Sequence, residues 1–492
     1  MQKTFIKKIF PEKLKVLFVA SEVFPFAKAG GLGDVIYSLS LSLNKLGHDV
    51  RVMIPFYGTI DREKYKTSTE IAKLEVPTDQ AGDYPFLVCA VKKHQNTYFL
   101  ENMEYYEQRA NVYGYADDHI RWILLCRGAL EFLKKSTWKP DVIVAADWQT
   151  GLIPNYIKTR YGNEFSKTAV VFAIHNLQYQ GMCDFRFMPE TERDSGSEPI
   201  PDFFNPRLAK LNWLLRGVLY SQRIVTVSPA YAEEILTPEF GEGLHKVFEE
   251  KRDKIDGILN GIAQEDHNPE TSPHIFKKYS FKKLSGKKEN KRKLQERFGL
   301  PQDEKAFLIS MVTRLVQQKG FDLLEQIGEN IFKNLNIQLI VAGDGESRYK
   351  EMIDGFSKKF PDKVKYHLQF DDKLPHQIFA GSDGLLMPSK FEPCGVTQMQ
   401  AMKYGCLPIA RKTGGLASTI KDCNCTAGTG FLFEAYEPTA LYTALVRAHT
   451  VFQFKDIWQK MLERAMKKDF SWTHSAKRYL EVFNQAIKDV LG

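Results

Sequence analysis

Short apolar runs alternate with segments of helical period along most of this chain, a pattern that predicts a parallel α/β architecture. The apolar runs of the first half are rich in Val, Ile and Phe, as expected for strands buried on both faces. We predict strands at residues 15–20, 49–54, 141–146, 169–174 and 223–227. Between the first two, apolar residues recur every three or four positions and predict an amphipathic helix from Leu32 that stops at Gly47.

The pattern breaks after about residue 262, where a polar, lysine-rich stretch precedes a second series of strands. These strands are predicted at residues 307–313, 338–342, 364–369, 384–388 and 406–410, with a last amphipathic helix from about Ser471. A chain of 492 residues is too long for one ordinary core. We therefore predict an α/β fold with two doubly wound domains. They are assigned to residues 1–262 with the C-terminal helix at 470–492, and to 300–469, joined by a basic connection at 263–299.

The net charge is +8, and ten Lys or Arg residues lie between positions 277 and 297. Such a run is typical either of a nucleic-acid site or of a solvated linker and helix surface. No aromatic stacking pattern accompanies it, so we favour the solvated surface and expect no nucleic-acid partner.

Nothing in the chain approaches the roughly 18 apolar residues of a membrane-spanning helix. Lysines precede the apolar residues 16–20, but that run is too short for a signal peptide. The seven cysteines are odd in number and match no paired framework, which indicates reduced thiols. A metal at Cys423 and Cys425 is the weaker alternative, because no Cys/His pair lies nearby at zinc-ligand spacing. We expect a cytoplasmic protein without a membrane partner.

Polar and charged residues follow the predicted strands. Ligands of open parallel sheets bind beyond the carboxyl ends of the strands, so these positions are candidates for a site. In the first half they include Glu22, Asp147 and His175, and in the second half Arg314 and Glu392. Their convergence at one end of both sheets predicts a cleft between the domains.

Two glycine-containing turns are candidate anion sites. Gly30 and Gly31 open the first helix, where free amides and the helix dipole attract negative charge, and residues 413–415 offer a second nest. Each alone is equally consistent with a structural turn, since the first lacks the dinucleotide-binding spacing. Together with Arg314 and Lys319, the two turns suit a diphosphate better than a single carboxylate.

No two aspartates are two positions apart, so the chain lacks the D-x-D pair that holds a metal-bound sugar nucleotide. A sugar transferase with this sequence must neutralise the leaving diphosphate with Lys and Arg. We therefore expect no metal and no other cofactor.

A set of short motifs occurs in order from about residue 15 to residue 472. They are K-A-G-G-L-G-D-V at 28–35, H-N-L-Q-Y-Q-G at 175–181, T-V-S-P at 226–229, L-N-G at 259–261, Arg314 with Q-K-G at 318–320, F-E-P-C-G at 391–395 with T-Q at 397–398, K-T-G-G-L at 412–416 and D-F-S-W at 469–472. No single motif is decisive, but the ordered set is specific. With it the chain resembles the bacterial glycogen synthases and plant starch synthases.

The resemblance implies two Rossmann-like domains facing each other across a cleft, the GT-B arrangement, with the C-terminal helix crossing back to the first domain. It also implies retaining transfer of glucose from a nucleoside diphosphate glucose to the non-reducing end of an α-1,4-glucan. ADP-glucose is the expected donor, because the bacterial and plant branch looks closest. The alternatives are a transferase that uses UDP-glucose or another acceptor, and a weakly active glucan-binding or initiation partner.

The resemblance also implies roles for individual residues. Arg314 and Lys319 would hold the diphosphate and stabilise its developing charge, and Lys28 would reach it from the first domain with the Gly30 and Gly31 amides. His175 would hydrogen-bond the sugar near the reacting carbon. Further positions expected at the site are Glu392 at the donor sugar, Asp147, Glu22 and Asn260 on the acceptor side, Phe370 stacked on the base, and Asp34, Cys394, Gly395, Thr397, Thr413, Gly414 and Gly415 in the donor pocket.

Three features depart from the family pattern. Ala146 and Gln149 stand where the family has His on either side of Asp-Trp, and Ala263 replaces an Asp. Phe370 stands in place of Tyr and keeps the stacking face. The first two departures concern acceptor handling and the geometry of the domain linker, and the third concerns the nucleotide base. None of them removes His175, Arg314 or Lys319. We expect an active enzyme.

Overall fold

The computed structural model describes residues 13–66, 69–80, 82, 84–369, 371, 373–424 and 426–492. Phe370 and Cys425, which the sequence analysis singled out, lie outside these described residues. The chain forms two compact units. Unit 1 runs to Gly261 and includes Trp472–Gly492, and unit 2 is Ile262–Ser471.

Unit 1 is built on a nine-stranded sheet. Its strands are β1 Lys15–Val19, β2 Asp49–Pro55, β3 Glu70–Pro77, β4 Phe86–His94, β5 Thr97–Glu101, β6 Val142–Ala146, β7 Ala169–Ile174, β8 Arg223–Thr226 and β9 Ile255–Gly257. They are ordered β3-β4-β5-β2-β1-β6-β7-β8-β9. The pairs β3–β4 and β4–β5 are antiparallel, and the remaining pairs are parallel. Central strands such as β6 are buried along their whole length, which explains their unbroken apolar sequence.

The central strands of unit 1 lie within about one residue of their predicted bounds, whereas β3, β4, β5 and β9 are not among the predicted strands. Strand β3 alternates exposed Lys and Glu with buried Leu74 and Val76, because only one of its faces is covered. Such strands lack the continuous apolar run by which buried parallel strands are recognised. The antiparallel edge of the sheet is therefore an addition to the predicted fold.

Helices cover both faces of this sheet. They are α1 Leu32–Lys45, α2 Asp118–Lys135, α3 Leu152–Thr159, α4 Trp213–Tyr220, α5 Pro229–Glu234 and α6 His245–Glu250. Helix α1 buries Leu32, Val35, Ile36, Leu39 and Leu43, the apolar face expected from their spacing. It ends just before Gly47, whose φ of 98° favours glycine.

Unit 2 contains a six-stranded, all-parallel sheet. Its strands are β10 Phe307–Val312, β11 Ile337–Ala342, β12 Val364–His367, β13 Gly384–Met387, β14 Leu407–Arg411 and β15 Phe431–Phe433. Their order, β12-β11-β10-β13-β14-β15, is the doubly wound order 3-2-1-4-5-6. The parallel part of unit 1 repeats it as β5-β2-β1-β6-β7-β8. The predicted α/β class with two doubly wound domains is confirmed.

The helices of unit 2 are α7 Ser285–Phe298, α8 Phe321–Asn334, α9 Ser347–Lys359, α10 Leu374–Gly381, α11 Thr397–Lys403, α12 Gly414–Thr419, α13 Pro438–Gln453 and α14 Lys455–Lys467. Helix α7 lies within the stretch 263–299 that we predicted as a connection between domains. That stretch instead belongs to unit 2, because α7 packs against α10 and places Leu294 in the core of the unit.

Two lysines of the basic run are buried, contrary to the solvated surface predicted for it. The Lys287 ammonium donates to the carbonyl oxygens of Phe379, Ala380, Ser382 and Tyr404 at 2.9–3.4 Å. The first three carbonyls lie at the C-terminal end of α10, where a cation meets the negative end of the helix dipole. The lysine therefore fastens α7 to α10.

Lys291, one helical turn further along α7, forms a buried ion pair with Asp383 at 2.7 Å. The same ammonium donates to the carbonyl oxygens of Glu304 and Ala306, at 3.1 and 2.6 Å. The basic run thus includes internal structural contacts of unit 2 that its charge pattern did not reveal.

The last helix, α15 Trp472–Leu491, belongs to unit 1 and packs against α1 and β7. The Ser475 hydroxyl donates to the Leu259 carbonyl at 2.6 Å. A Cβ at Gly261 would lie 2.6 Å from the backbone nitrogen of Trp472, so this contact requires glycine. No helix among the described residues has the length and apolar content needed to cross a membrane.

Burial lowers the pKa of Lys287 to about 8. Between this value and 10.5 the unfolded chain binds more protons than the folded chain, so Lys287 makes stability rise with pH over that window. Relative to Lys287→Met, we expect wild type to gain up to about 3 kcal/mol of unfolding free energy from pH 8 to 10.5. Urea unfolding across this range measures the difference. Lys288→Met, which alters an exposed neighbour, should follow wild type, whereas parallel curves for wild type and Lys287→Met would contradict the assignment.

Candidate functional site

In each sheet the chain reverses its direction of winding between two neighbouring strands, and ligands of doubly wound sheets bind beyond the carboxyl ends of such strands. In unit 1 these strands are β1 and β6, and in unit 2 they are β10 and β13. The predicted residues follow these strands or their immediate neighbours. We call Glu22, Lys28, Asp147 and His175 the unit 1 cluster, and Arg314, Lys319 and Glu392 the unit 2 cluster.

Glu22, which follows β1, is buried and turns back onto the glycine loop. Its Oε2 accepts hydrogen bonds from the backbone nitrogens of Ala29 and Gly30, the latter at 3.0 Å. The Gly30 amide, predicted as part of an anion cradle, is therefore occupied by a carboxylate of the protein itself. The negative charge expected at this turn is therefore that of the Glu22 carboxylate.

The other residues of this loop face solvent. Lys28 forms an exposed ion pair with Asp34 at 2.7 Å. Gly31 has a φ of −77°, and a Cβ there would meet no heavy atom within 4 Å. Neither backbone conformation nor packing within the described residues requires glycine at position 31, so its small size leaves room for a ligand.

Asp147 and His175 lie side by side after β6 and β7. The Asp147 Oδ1 accepts the backbone N–H groups of His175 at 2.7 Å and of Asn176 at 3.3 Å. Asp147 has a φ of 56°, a conformation that costs energy in a residue other than glycine and is common at functional sites. The carboxylate thus fixes the turn that carries His175.

The His175 imidazole has no hydrogen-bond partner within the part of the chain that the structure describes. Burial lowers its pKa, against the attraction of the Asp147 and Glu22 carboxylates, so the ring is neutral at neutral pH. Burial also raises the pKa of Asp147. A neutral imidazole can donate a hydrogen bond from one nitrogen and accept one at the other.

Tyr113 belongs to this neighbourhood, although the sequence analysis missed it. Its hydroxyl lies 2.8 Å from the Ser21 hydroxyl, and the Tyr57 hydroxyl donates to the Ser21 carbonyl at 2.6 Å. Burial and the Glu22 carboxylate raise the pKa of Tyr113 well above its ordinary value. No spacing rule points to this residue, because it comes from a loop before α2 and reaches the site only through the fold.

In unit 2, Lys319 and Glu392 form an ion pair of 2.6 Å with side chains only 14% and 9% exposed. The Ser389 hydroxyl donates to the same carboxylate oxygen at 3.0 Å. A second contact joins the loop after β10 to the loop after β13: the Gln318 side-chain amide donates to the Phe391 carbonyl at 3.0 Å. The segments that follow β10 and β13 are therefore held in a fixed relation.

Arg314 contrasts with Lys319. It is exposed just beyond β10, and its guanidinium forms no ion pair or hydrogen bond with any residue that the structure describes. Thr313, directly before it, is fixed by a hydrogen bond from its own backbone N–H to the Ala342 carbonyl at 3.1 Å. A positioned but unneutralised cation remains available to an anionic ligand.

Gly414 and Gly415, which the sequence predicts as part of an anion nest, have a structural role as well. The Gly415 amide donates to the Glu392 carbonyl at 2.9 Å and the Pro393 carbonyl at 3.1 Å. A Cβ at Gly415 would lie 1.6 Å from the Cys394 carbonyl oxygen, and one at Gly414 2.1 Å from that of Glu392. These glycines let α12 press against the Glu392 loop, so the Gly415 amide binds protein carbonyls rather than an anion.

The remaining predicted residues lie around these clusters. Gly395 has a φ of 61°, and Gln398 donates to its carbonyl at 2.8 Å. Thr397 begins α11, and Cys394 and Thr413 are buried. Asn260, in unit 1, is buried with no partner for its Oδ1 among the described residues.

No group of three or more His, Cys, Asp or Glu side chains among the described residues is arranged to hold a metal ion. No disulfide joins the described cysteines.

Known proteins share both halves of this arrangement. A family model described as the starch synthase catalytic domain matches residues 15–250, and one for glycosyl transferases group 1 matches residues 292–449. The glycogen synthase of Geotalea daltonii is 41% identical over 490 residues, covering 96% of this chain and 99% of that protein. The glycogen synthase of Thermotoga petrophila is 39% identical, covering 97% and 100%.

The chain belongs to the glycogen/starch synthase family. A solved structure agrees with this: the catalytic domain of starch synthase IV from Arabidopsis thaliana, bound to ADP and acarbose, superposes with a TM-score of 0.81. It is 30% identical, and the match covers 97% of this chain and 100% of that one. The family resemblance of the ordered motifs is thereby confirmed, and the protein is a glycosyltransferase of glycogen or starch synthesis.

Helix α12 lies so close to the Glu392 loop that position 415 has no room for a Cβ, and this steric constraint can be tested. We expect Gly415→Ala to lower the unfolding free energy by about 1–3 kcal/mol, because the new Cβ would overlap the Cys394 carbonyl. Gly355→Ala is the matched control: this glycine lies in α9 with nothing within 4 Å of a Cβ, so the change should stabilise by up to about 1 kcal/mol. Thermal unfolding measures both variants. Equal melting temperatures for Gly415→Ala and wild type would contradict the constraint.

Proposed function

We propose that the protein transfers glucose from ADP-glucose to the non-reducing end of an α-1,4-glucan with retention of configuration. The observation that carries this proposal is the unit 2 cluster, where an unneutralised Arg314 and a nearly buried Lys319 follow the same strand. In the reaction the bond from the glucose C1 to the diphosphate breaks and a bond from C1 to the acceptor oxygen forms. The acceptor hydroxyl proton leaves with the diphosphate.

The cations of unit 2 suit the leaving group. Negative charge grows on the diphosphate oxygen as its bond to C1 lengthens, so fixed positive charge there lowers the barrier selectively. Glu392 holds Lys319 in place through the 2.6 Å ion pair, so this cation is preorganised. We assign Arg314 and Lys319 to the diphosphate and Glu392 to the donor sugar and to the orientation of Lys319.

The unit 1 cluster suits the sugar and the acceptor. His175 is neutral, with an imidazole that no described residue occupies, and is assigned to a hydroxyl of the reacting sugar. Lys28 and the open position Gly31 are assigned to the diphosphate. Because Glu22 occupies the Gly30 amide, we assign Glu22 and Asp147 to shaping the loops that carry these groups.

ADP-glucose is preferred because of the ADP in the starch synthase IV structure, which the match covers in full. A UDP-glucose-dependent transferase is the second candidate, supported by the same cationic cluster, which does not distinguish the bases. A transferase without a metal ion is proposed because two side-chain cations are available to the diphosphate.

One assay tests these points together. Purified protein is given ADP-glucose or UDP-glucose, with and without glycogen, and the released nucleoside diphosphate is measured. We expect ADP release that depends on glycogen, little UDP release, and the same rates in excess EDTA. Dominant UDP release would overturn the donor assignment, and loss of activity in EDTA that magnesium restores would overturn the metal-free proposal. No release from either donor would favour a glucan-binding partner.

The assignment of charge to the chemical step predicts the effect of removing either cation. Arg314→Ala and Lys319→Ala should each lower turnover at saturating donor by about 10²–10³, while the glycogen dependence changes little. Arg292→Ala, which removes an exposed arginine of α7, should be near wild type. Because Lys319→Ala also leaves the Glu392 carboxylate without its cation, melting temperatures are measured in parallel. If a variant keeps normal turnover and only its Michaelis constant for the donor rises, the residue contributes to ground-state binding and not to the chemical step.

A further inference from the structure

Three histidines of unit 2 lie together near the start of this unit. The rings of His267 and His376 are stacked, with their centroids 4.9 Å apart and their planes inclined by 11°. The ring of His274 lies 5.1 Å from that of His376, and the Tyr404 hydroxyl lies 2.9 Å from the His376 Nδ1. These side chains are not arranged to hold a metal ion. We call the three histidines and Tyr404 the histidine latch.

The latch joins parts of unit 2 that are far apart in the sequence. His267 and His274 belong to residues 262–280, which we call the entry segment because it directly follows the passage from unit 1 at Gly261. His376 lies in the first turn of α10, and Tyr404 directly follows α11. The latch therefore fastens the middle of the entry segment to these two helices.

Other contacts hold the two ends of the entry segment. At its start, the Ile262 N–H donates to the Phe470 carbonyl at 2.8 Å. At its end, the Tyr279 hydroxyl and the Lys287 ammonium both donate to the Tyr404 carbonyl, at 2.7 and 3.0 Å. Because these contacts do not involve the imidazoles, opening of the latch would free the middle of the segment and leave its ends in place.

The surroundings of the stack suit neutral imidazoles and oppose charged ones. The His267 Nδ1 is buried and has no hydrogen-bond partner among the described residues, so a proton there would be buried without an acceptor. Two protonated rings at this separation would also repel each other. His376 lies at the N-terminus of α10, where the helix dipole disfavours a cation.

The titratable groups around the stack come from each element that packs there. Burial and the neighbouring His376 lower the pKa of His267 to about 4. Burial and His274 lower the pKa of His376, and the attraction of the Asp266 carboxylate offsets this only in part. Burial raises the pKa of Tyr404 to about 12, so its hydroxyl stays protonated.

Acid therefore weakens the latch. A histidine in a released segment has a pKa near 6.5, so the released segment takes up protons that the closed latch excludes. The latch has its full stability above pH 6.5 and loses stability as the pH falls from 6.5 towards 4. At pH 5 the two pKa values of His267 favour the released segment about thirtyfold more than at neutral pH.

We propose that the histidine latch is a pH-sensitive switch, in which a neutral stack of imidazoles holds the entry segment on α10 and protonation of His267 and His376 releases it. The change is confined to the entry segment and leaves both sheets folded. The switch does not depend on the proposed function, because it consists only of contacts within unit 2.

Hydrogen–deuterium exchange of the full chain at pH 5 and pH 7.5, corrected for the intrinsic pH dependence of amide exchange, tests the switch. We expect exchange of the entry segment to rise about ten- to thirtyfold at pH 5, while the strand β10 keeps its protection. Exchange of the histidine C2 hydrogens, measured on the same protein, should give His267 a pKa well below 6.5.

His267→Phe keeps a ring in the stack but cannot bind a proton, so this variant should lose most of the acid response. His474→Phe makes the same change at an exposed position of α15 and should respond like wild type. Equal protection of the entry segment at both pH values in wild type would overturn the switch, as would a His267 pKa near 6.5 or a full acid response in His267→Phe. Exchange that rises equally in β10 would indicate global unfolding and would also overturn it.

Discussion

Glu392 is the residue on which the arrangement of the unit 2 cluster depends. Its side chain pairs with Lys319 from the segment after β10, and its carbonyl accepts the Gly415 amide from the segment after β14. One residue therefore joins the carboxyl ends of three strands through charge and backbone together. A buried carboxylate without its cation is costly, so the ion pair and the glycine contact support each other. The unneutralised Arg314 lies just beyond β10, the first of these three strands.

Much of this fold was predictable because its central strands are buried on both faces and its helices show regular apolar spacing. The positions of β7, β10 and β13 followed from that pattern, and with them the placement of His175, Arg314 and Glu392 beyond strand ends. Strand β3 is not predicted because one of its faces meets solvent and its buried Leu74 and Val76 alternate with Lys and Glu. Lys287 was misjudged for a related reason: a lysine bound by backbone carbonyls has no partner visible in the sequence.

The glycine motifs show where inference from sequence stops. For both turns the sequence allows either an anion cradle or a structural turn. In the structure the Gly30 amide binds the Glu22 carboxylate and the Gly415 amide binds two carbonyls. A spacing rule identifies amides near a helix start, but it cannot state whether the fold already uses them. Gly31 differs, since no described contact or backbone angle requires glycine there. A Cβ at Gly415 would overlap backbone atoms, so the fold requires glycine there, whereas a Cβ at Gly31 would meet no heavy atom within 4 Å.

The two clusters differ in charge. In unit 2, Glu392 neutralises Lys319, while Arg314 has no counterion among the described residues, so one positive charge is left over. The unit 1 cluster holds a neutral imidazole beside carboxylates that are engaged with backbone amides. The exception is Lys28, the one cation of this cluster, which lies on the glycine loop and pairs with Asp34. The other three side chains, Glu22, Asp147 and His175, offer no positive charge to an anion. The division follows from which loops carry Lys and Arg and which carry Asp and Glu. It is therefore set by the sequence at the strand ends rather than by the sheets themselves, which have the same strand order in both units.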